Sequence, residues 1–148
     1  MLIGAIFNQL VLTLENNPDL KVYIRRVFKG ARFDIGKDTH PCLMVEVVRN
    51  NEIEKDFGQI KRIWAEFDVL GFIYEQDQES LIVGDSRKEK YGILDIENDI
   101  RACLQSSNTL GDRVYDLQMQ PTEFDYTFLP VRGLRIRTRV LYQQTDGI

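Results

Sequence analysis

His40, Cys42 and Cys103 are the only histidine and cysteines in the chain, and they are too scattered for a zinc-type ligand set. A catalytic histidine needs a positioned nucleophile or an orienting carboxylate. Asp38 lies close to His40, but no serine or cysteine motif frames a nucleophile. His40 therefore reads as a loop histidine beside Pro41. No glycine-rich phosphate loop is present, since Gly84 and Gly92 stand alone. No apolar run approaches the roughly 18 residues that a membrane-crossing helix needs. The apolar start, MLIGAIFNQLVLTLENN, lacks the basic flank and small-residue cleavage site of a signal peptide. An excess of positive charge is missing too: the formal net charge is −4 and the pI about 5.1. That excludes nucleic-acid binding by bulk charge and leaves only a local basic face. No catalytic residue, cofactor motif or metal set is predicted.

What the chain does have is the balance of a folded domain. Apolar residues make up 43% and charged residues 28% of 148 positions, enough for one domain with a real core. No repeat or composition break marks a second, so residues 1–148 are read as a single domain. The two cysteines each sit in an apolar pattern and read as buried free thiols, although a disulfide between them is not excluded by sequence.

The clearest helical signal is KYGILDIENDIRACL, residues 90–104. Ile93, Ile96, Ile100, Cys103 and Leu104 form one stripe, while Asp95, Glu97, Asp99 and Arg101 lie off it and read as a solvated face. The early acids and late arginine suit the helix dipole. A first helix is expected over 3–16, with Ile3, Ile6, Phe7, Leu10, Val11 and Leu14 on one face. Asn17-Pro18 ends it.

The rest alternates with period two. Residues 20–29 lean towards strand, and 30–41 form a loop rich in breakers. Residues 42–48 are a strand, followed by a turn or loop at Arg49-Asn50-Asn51-Glu52. Residues 59–74 are a long strand in which Gly71 suggests a bulge. Residues 76–90 are a charged linker around Leu81-Ile82-Val83. After a turn at 108–112, strands are expected over 113–120, 123–129 and 134–142, with turns at Pro121 and at Pro130-Val131-Arg132-Gly133. Short connections predict antiparallel pairing. The fold class is α+β: a mainly antiparallel sheet with an N-terminal helix and a central amphipathic helix packed against it.

One surface feature stands out. Arg135, Arg137 and Arg139 share a face of the last strand, with Arg132 just before it. Cross-strand partners such as Glu123 and Asp125 would neutralise them. Otherwise they make a basic stripe facing nucleic acid or an acidic neighbour, or a charged edge that discourages strand pairing. Glu46, Glu66 and Asp68 would suit a metal-dependent nuclease only if a lysine joined them, and Lys55 and Lys61 are the only ones near.

The segment 88–142 resembles the tail terminator and tail-completion (minor tail) proteins of long-tailed bacteriophages. The residues carrying the likeness are the KYGILDIENDIRACL helix, Thr109-Leu110-Gly111-Asp112, Val114-Tyr115-Asp116 and the closing RIRTRVLY strand. The N-terminal half matches more loosely, through the first helix, VFKGARF and Pro41-Cys42-Leu43-Met44-Val45. The resemblance implies a non-enzymatic structural protein that forms a hexameric ring on the end of the tail tube, stops its growth and joins the head-side connector. The implied partners are further copies of itself, the tail tube protein and the connector, with DNA passing through the ring without specific binding and no membrane involved. The implied location is the virion head–tail junction, and the host cytoplasm during assembly. In that setting Arg132, Arg135, Arg137, Arg139, Arg87, Lys88 and Lys90 are expected at the subunit interface or the channel. Alternatives are a head-completion or other head–tail joining protein and, in another class, a small α+β enzyme or ligand-binding domain outside phages.

Overall fold

A computed structural model describes residues 2–32, 35–74, 82–84 and 91–145. The chain is α+β, with a six-stranded, mostly antiparallel mixed sheet. Helix α1 spans Leu2–Glu15 and buries Ile6, Leu10, Val11 and Leu14. Leu2 and Leu12, off that face, are exposed. Across the expected helix stop and the first residues of the expected strand, a one-turn helix α2 (Pro18–Lys21) forms instead. The Asn17 carboxamide accepts from the backbone N–H of Asp19 and Leu20 at 3.1 and 3.0 Å, and Pro18 supplies a helical φ at the first position. The strand expected over 20–29 shrinks to β1, Arg26–Lys29.

The largest departure is in β2. It runs Cys42–Phe57, straight through the expected turn at Arg49-Asn50-Asn51-Glu52. The chain reverses only at Gly58, whose φ is +79° and whose N–H donates to the Asp56 carboxylate at 2.9 Å. Polarity misleads there because the ribbon has no helix over it, so its side chains meet water while its backbone stays in the ladder. Bulges between Val47 and Arg49, Arg49 and Glu52, and Ile53 and Lys55 absorb the irregular pattern, with Asn51 at φ 67°.

Strand β3 (Ile60–Tyr74) pairs antiparallel with β2 and with β6 (Val131–Thr145). The β3–β6 register is unbroken from Ile60↔Thr145 to Tyr74↔Val131, so Gly71 is not a bulge. It is a contact point: a Cβ there would lie 3.0 Å from Ile96 Cγ2 and 3.3 Å from Leu134 Cγ. Residues 131–133 belong to β6 rather than to a turn. Strands β4 (Asp116–Met119) and β5 (Glu123–Asp125), shorter than expected, both pair antiparallel with β6 and not with each other. The order is β1-β2-β3-β6-β4, with β5 also on β6 and the β1–β2 pair parallel.

Helix α3 spans Ile93–Ser106 and buries Ile93, Ile96, Ile100, Cys103 and Leu104. Its buried side chains join those of α1, with Leu43, Val45, Ile63, Phe67, Val69, Leu134, Ile136 and Val140 from the sheet, in one core. Each fully buried Leu, Ile or Phe contributes about 1.5–3 kcal/mol. The acids of α3 do more than meet solvent. Asp95 accepts from the Gly92 N–H at 2.7 Å, Glu97 pairs with Arg101, and Asp99 accepts from the Tyr23 hydroxyl at 2.6 Å. Tyr23 also stacks on Tyr91, 4.0 Å between centroids.

The opposite sheet face carries a small apolar cluster, Phe28, Cys42 and Met44, with Ile35, Leu70 and Phe72 packed on it. Cys42 and Cys103 belong to clusters on different sides of the sheet and are both free, buried thiols. Among the described residues no helix is long and apolar enough to cross a membrane.

Candidate interaction face

Beyond the small apolar cluster, the helix-free face of the sheet is charged, and the strand register determines how. Odd-numbered residues of β3 and even-numbered residues of β6 turn towards the helices, which leaves Glu66, Asp68, Arg135, Arg137 and Arg139 on the open side. The register sets Arg49 beside Glu66 and Glu66 beside Arg139. One step along, Glu46, Asp68 and Arg137 form the next row.

The side chains follow the rows. Arg137 donates from Nε to Asp68 Oδ1 at 3.0 Å and from Nη2 to Asp68 Oδ2 at 3.2 Å. Asp68 is only 9% exposed, and its bond to Arg137 holds that guanidinium above its ordinary pKa. Arg139 donates from Nη2 to Glu52 at 3.2 Å and lies over the Trp64 ring, 4.4 Å from its centroid. Its Nε sits 3.5 Å from Glu66 Oε1, buried and without a hydrogen bond. Arg135 bonds to Glu123 and approaches Asp68 at 4.0 Å. Glu46, beside Asp68, turns away and accepts from Ala31 N–H at 2.8 Å and Val47 N–H at 3.2 Å.

Of the two carboxylates expected beside the arginines, Glu123 meets Arg135, while Asp125 turns to Thr127, whose hydroxyl first and backbone N–H (2.8 Å) second lower its pKa. Asp68, Glu66 and Glu52 are the partners that sequence reasoning missed. The signal was available in the alternation of β3 and β6 but needed the register between them. Arg132 pairs with Ile73 and by alternation falls on the helix-facing side, apart from the other three arginines. Arg87, Lys88 and Lys90 lie outside the described residues.

The three carboxylates considered for a nuclease centre are thus held in ion pairs or backbone hydrogen bonds. Lys55 and Lys61 sit towards the β2–β3 hairpin end, opposite Arg62 and Asp56. Among the described residues no group of His, Cys, Asp or Glu is arranged to hold a metal. His40 is buried, with Nδ1 3.0 Å from the Gly36 carbonyl oxygen, and burial lowers its pKa. A guanidinium stays charged at neutral pH, so this lattice offers electrostatic recognition rather than proton transfer.

Between the arginines lies an open groove of about 450 Å³ lined by Arg49, Glu66, Glu123, Arg135, Arg137 and Arg139, with Gln120 and Pro121 at its side. Two apolar surfaces flank the sheet. On one edge, β2 runs past the end of β1 pairing at Val45 and exposes Ile53 and Phe57, with Ile60 across the hairpin. On the other, β5 and the segment after it expose Phe124, Tyr126, Phe128 and Leu129. No protein-family model matches the sequence, and no curated protein matches it.

Proposed function

We propose that this protein is a ring-forming structural component of a bacteriophage tail, of the tail terminator type. The observation that carries this reading beyond the sequence resemblance is the placement of two exposed apolar edges on opposite sides of one sheet. β2, the outer strand past Val45, exposes Ile53 and Phe57 with Ile60 across the hairpin tip, and β5 with its following loop exposes Phe124, Tyr126 and Phe128 on the far side of β6. Unlike surfaces at opposite edges favour head-to-tail association, which closes into a ring when the rotation between neighbours permits. The outer edge of β2 past Val45 adds backbone groups that a neighbour's strand can satisfy. In this reading α3 is the amphipathic helix at the centre of the domain. The ring sits at the head–tail junction of the virion, with the tail tube on one side and the head-side connector on the other.

Electron microscopy of the purified protein mixed with tail tubes assembled without their terminating protein tests this. Tubes capped at one end by a sixfold ring are the expected outcome. Tubes left bare, with binding to isolated connectors, shift the assignment to head completion. Binding to neither overturns the reading.

A further inference from the structure

We infer that the groove on the open sheet face is a docking site for an acidic, extended segment of a protein partner. Its lining holds four arginines against two glutamates. The intramolecular partners are unequal. Asp68 and Glu66 have side chains only 12% and 13% exposed and are fixed parts of the lattice. Glu123 and Glu52, at 69% and 47%, reach in from the rim. Bridges of that exposed kind hold weakly and exchange with solvent or with another carboxylate. Arg49 has no side-chain partner among the described residues, although it lines the groove. Three cations are therefore open to an incoming acid: Arg49 directly, Arg135 by release of Glu123, and Arg139 by release of Glu52.

The spacing selects an extended ligand. The two releasable arginines, Arg135 and Arg139, stand four residues apart on one strand and on one face, a separation of about 13.6 Å, with Arg137 between them held by Asp68. A peptide in extended conformation sets acids at i and i+4 on one face at the same separation, a pair that alternate acids include. Carboxylate fits better than a nucleic-acid backbone because the face already carries Glu66, Asp68, Glu52 and Glu123, and the chain is negative overall. Fixed acids among the arginines oppose a continuous polyphosphate, whereas discrete carboxylates can replace the two movable ones individually.

The test is titration of the full-length protein at low salt with a synthetic peptide of alternating threonine and glutamate, beside a thymidine oligonucleotide of equal charge. The peptide binds and the oligonucleotide does not. R49A weakens the peptide by about fivefold, and R135A acts in the same direction. The distinguishing variant is the double substitution E52Q/E123Q, which removes the internal competitors and tightens binding by about threefold, the scale of exposed ion pairs. Thermal melting checks that each variant is folded. Failure of the peptide to bind the wild type and the double variant, binding of the double variant no tighter than wild type, or preference for the oligonucleotide each overturns the proposal. Ring formation is not read in this assay, so its outcome is independent of the tail-terminator reading.

Discussion

Arg137 grips Asp68 with two nitrogens across neighbouring strands, at 3.0 and 3.2 Å, on a sheet face that none of the described helices covers. The pair joins the middle of β3 to the middle of β6, where the carboxylate is nearly buried and a guanidinium fork matches both of its oxygens. Its neighbours, Arg135 and Arg139, are held by more exposed acids at the rim.

R137A leaves the Asp68 carboxylate without its two strongest donors in a poorly solvated position. The expected loss is about 1–3 kcal/mol, read as a lower urea midpoint with an unchanged slope. R137K recovers only part of it, because a lysine cannot make the planar two-point contact. Full stability in R137A would mean that the pair has no net role in folding.

Gly71 is the point where α3 comes closest to the sheet. G71A places a methyl group 3.0 Å from Ile96 Cγ2, and the overpacking costs about 1–3 kcal/mol. Because the Ile96 Cγ2 methyl is the obstacle, G71A combined with I96A, which removes that methyl, should be more stable than the sum of the two single changes predicts. Strict additivity in a double-mutant cycle would show that the strain lies elsewhere.

The buried ionisable groups bound the stability in pH. Burial, with the Asp99 bond second, raises the Tyr23 pKa, and burial lifts both Cys42 and Cys103 to about 11. The folded state then holds these protons more tightly than the unfolded chain, so their contribution is complete below the unfolded values. It is lost as pH rises past about 9 for the thiols and about 10 for the tyrosine. His40 works on the other side: burial lowers its pKa, so stability is lost as pH falls below about 6.5. Thermal melting across this range should give a plateau that declines on both flanks. Y23F flattens the alkaline flank, and H40Q flattens the acid one. A thiol reagent at neutral pH should leave both cysteines unmodified until the protein unfolds.

The apolar ribbon tip is expendable for folding and needed for association. F57D and I60D change side chains that are 62% and 41% exposed, so melting temperature should move little while capping of tail tubes is lost. F128D, at the opposite edge and 73% exposed, should have the same effect. Capping at wild-type levels by all three would remove the edges from the assembly surface.

Part of this architecture is legible without coordinates. The stripe Ile93, Ile96, Ile100, Cys103 and Leu104 identifies the buried side of α3, and Ile6, Leu10, Val11 and Leu14 that of α1, because a 3.6-residue period can bury only one face. The alternation along 59–74 and 134–142 likewise separates core residues from the arginines and acids. Those patterns belong to single elements and depend only on the local backbone. What only the tertiary structure decided is what lies across from each element. Local polarity suggests a turn at Arg49-Asn50-Asn51-Glu52, yet β3 pairs with that segment and keeps it extended. Gly71 looks like a bulge until Ile96 is seen against it. The arginines of β6 find Asp68, Glu66 and Glu52, which lie some 70 to 87 residues away in sequence. A one-residue slip of β3 against β6 would put Glu66 and Asp68 on the other face from the arginines. The register that prevents it comes from burying Phe67, Val69, Ile136 and Val140 together under the helices.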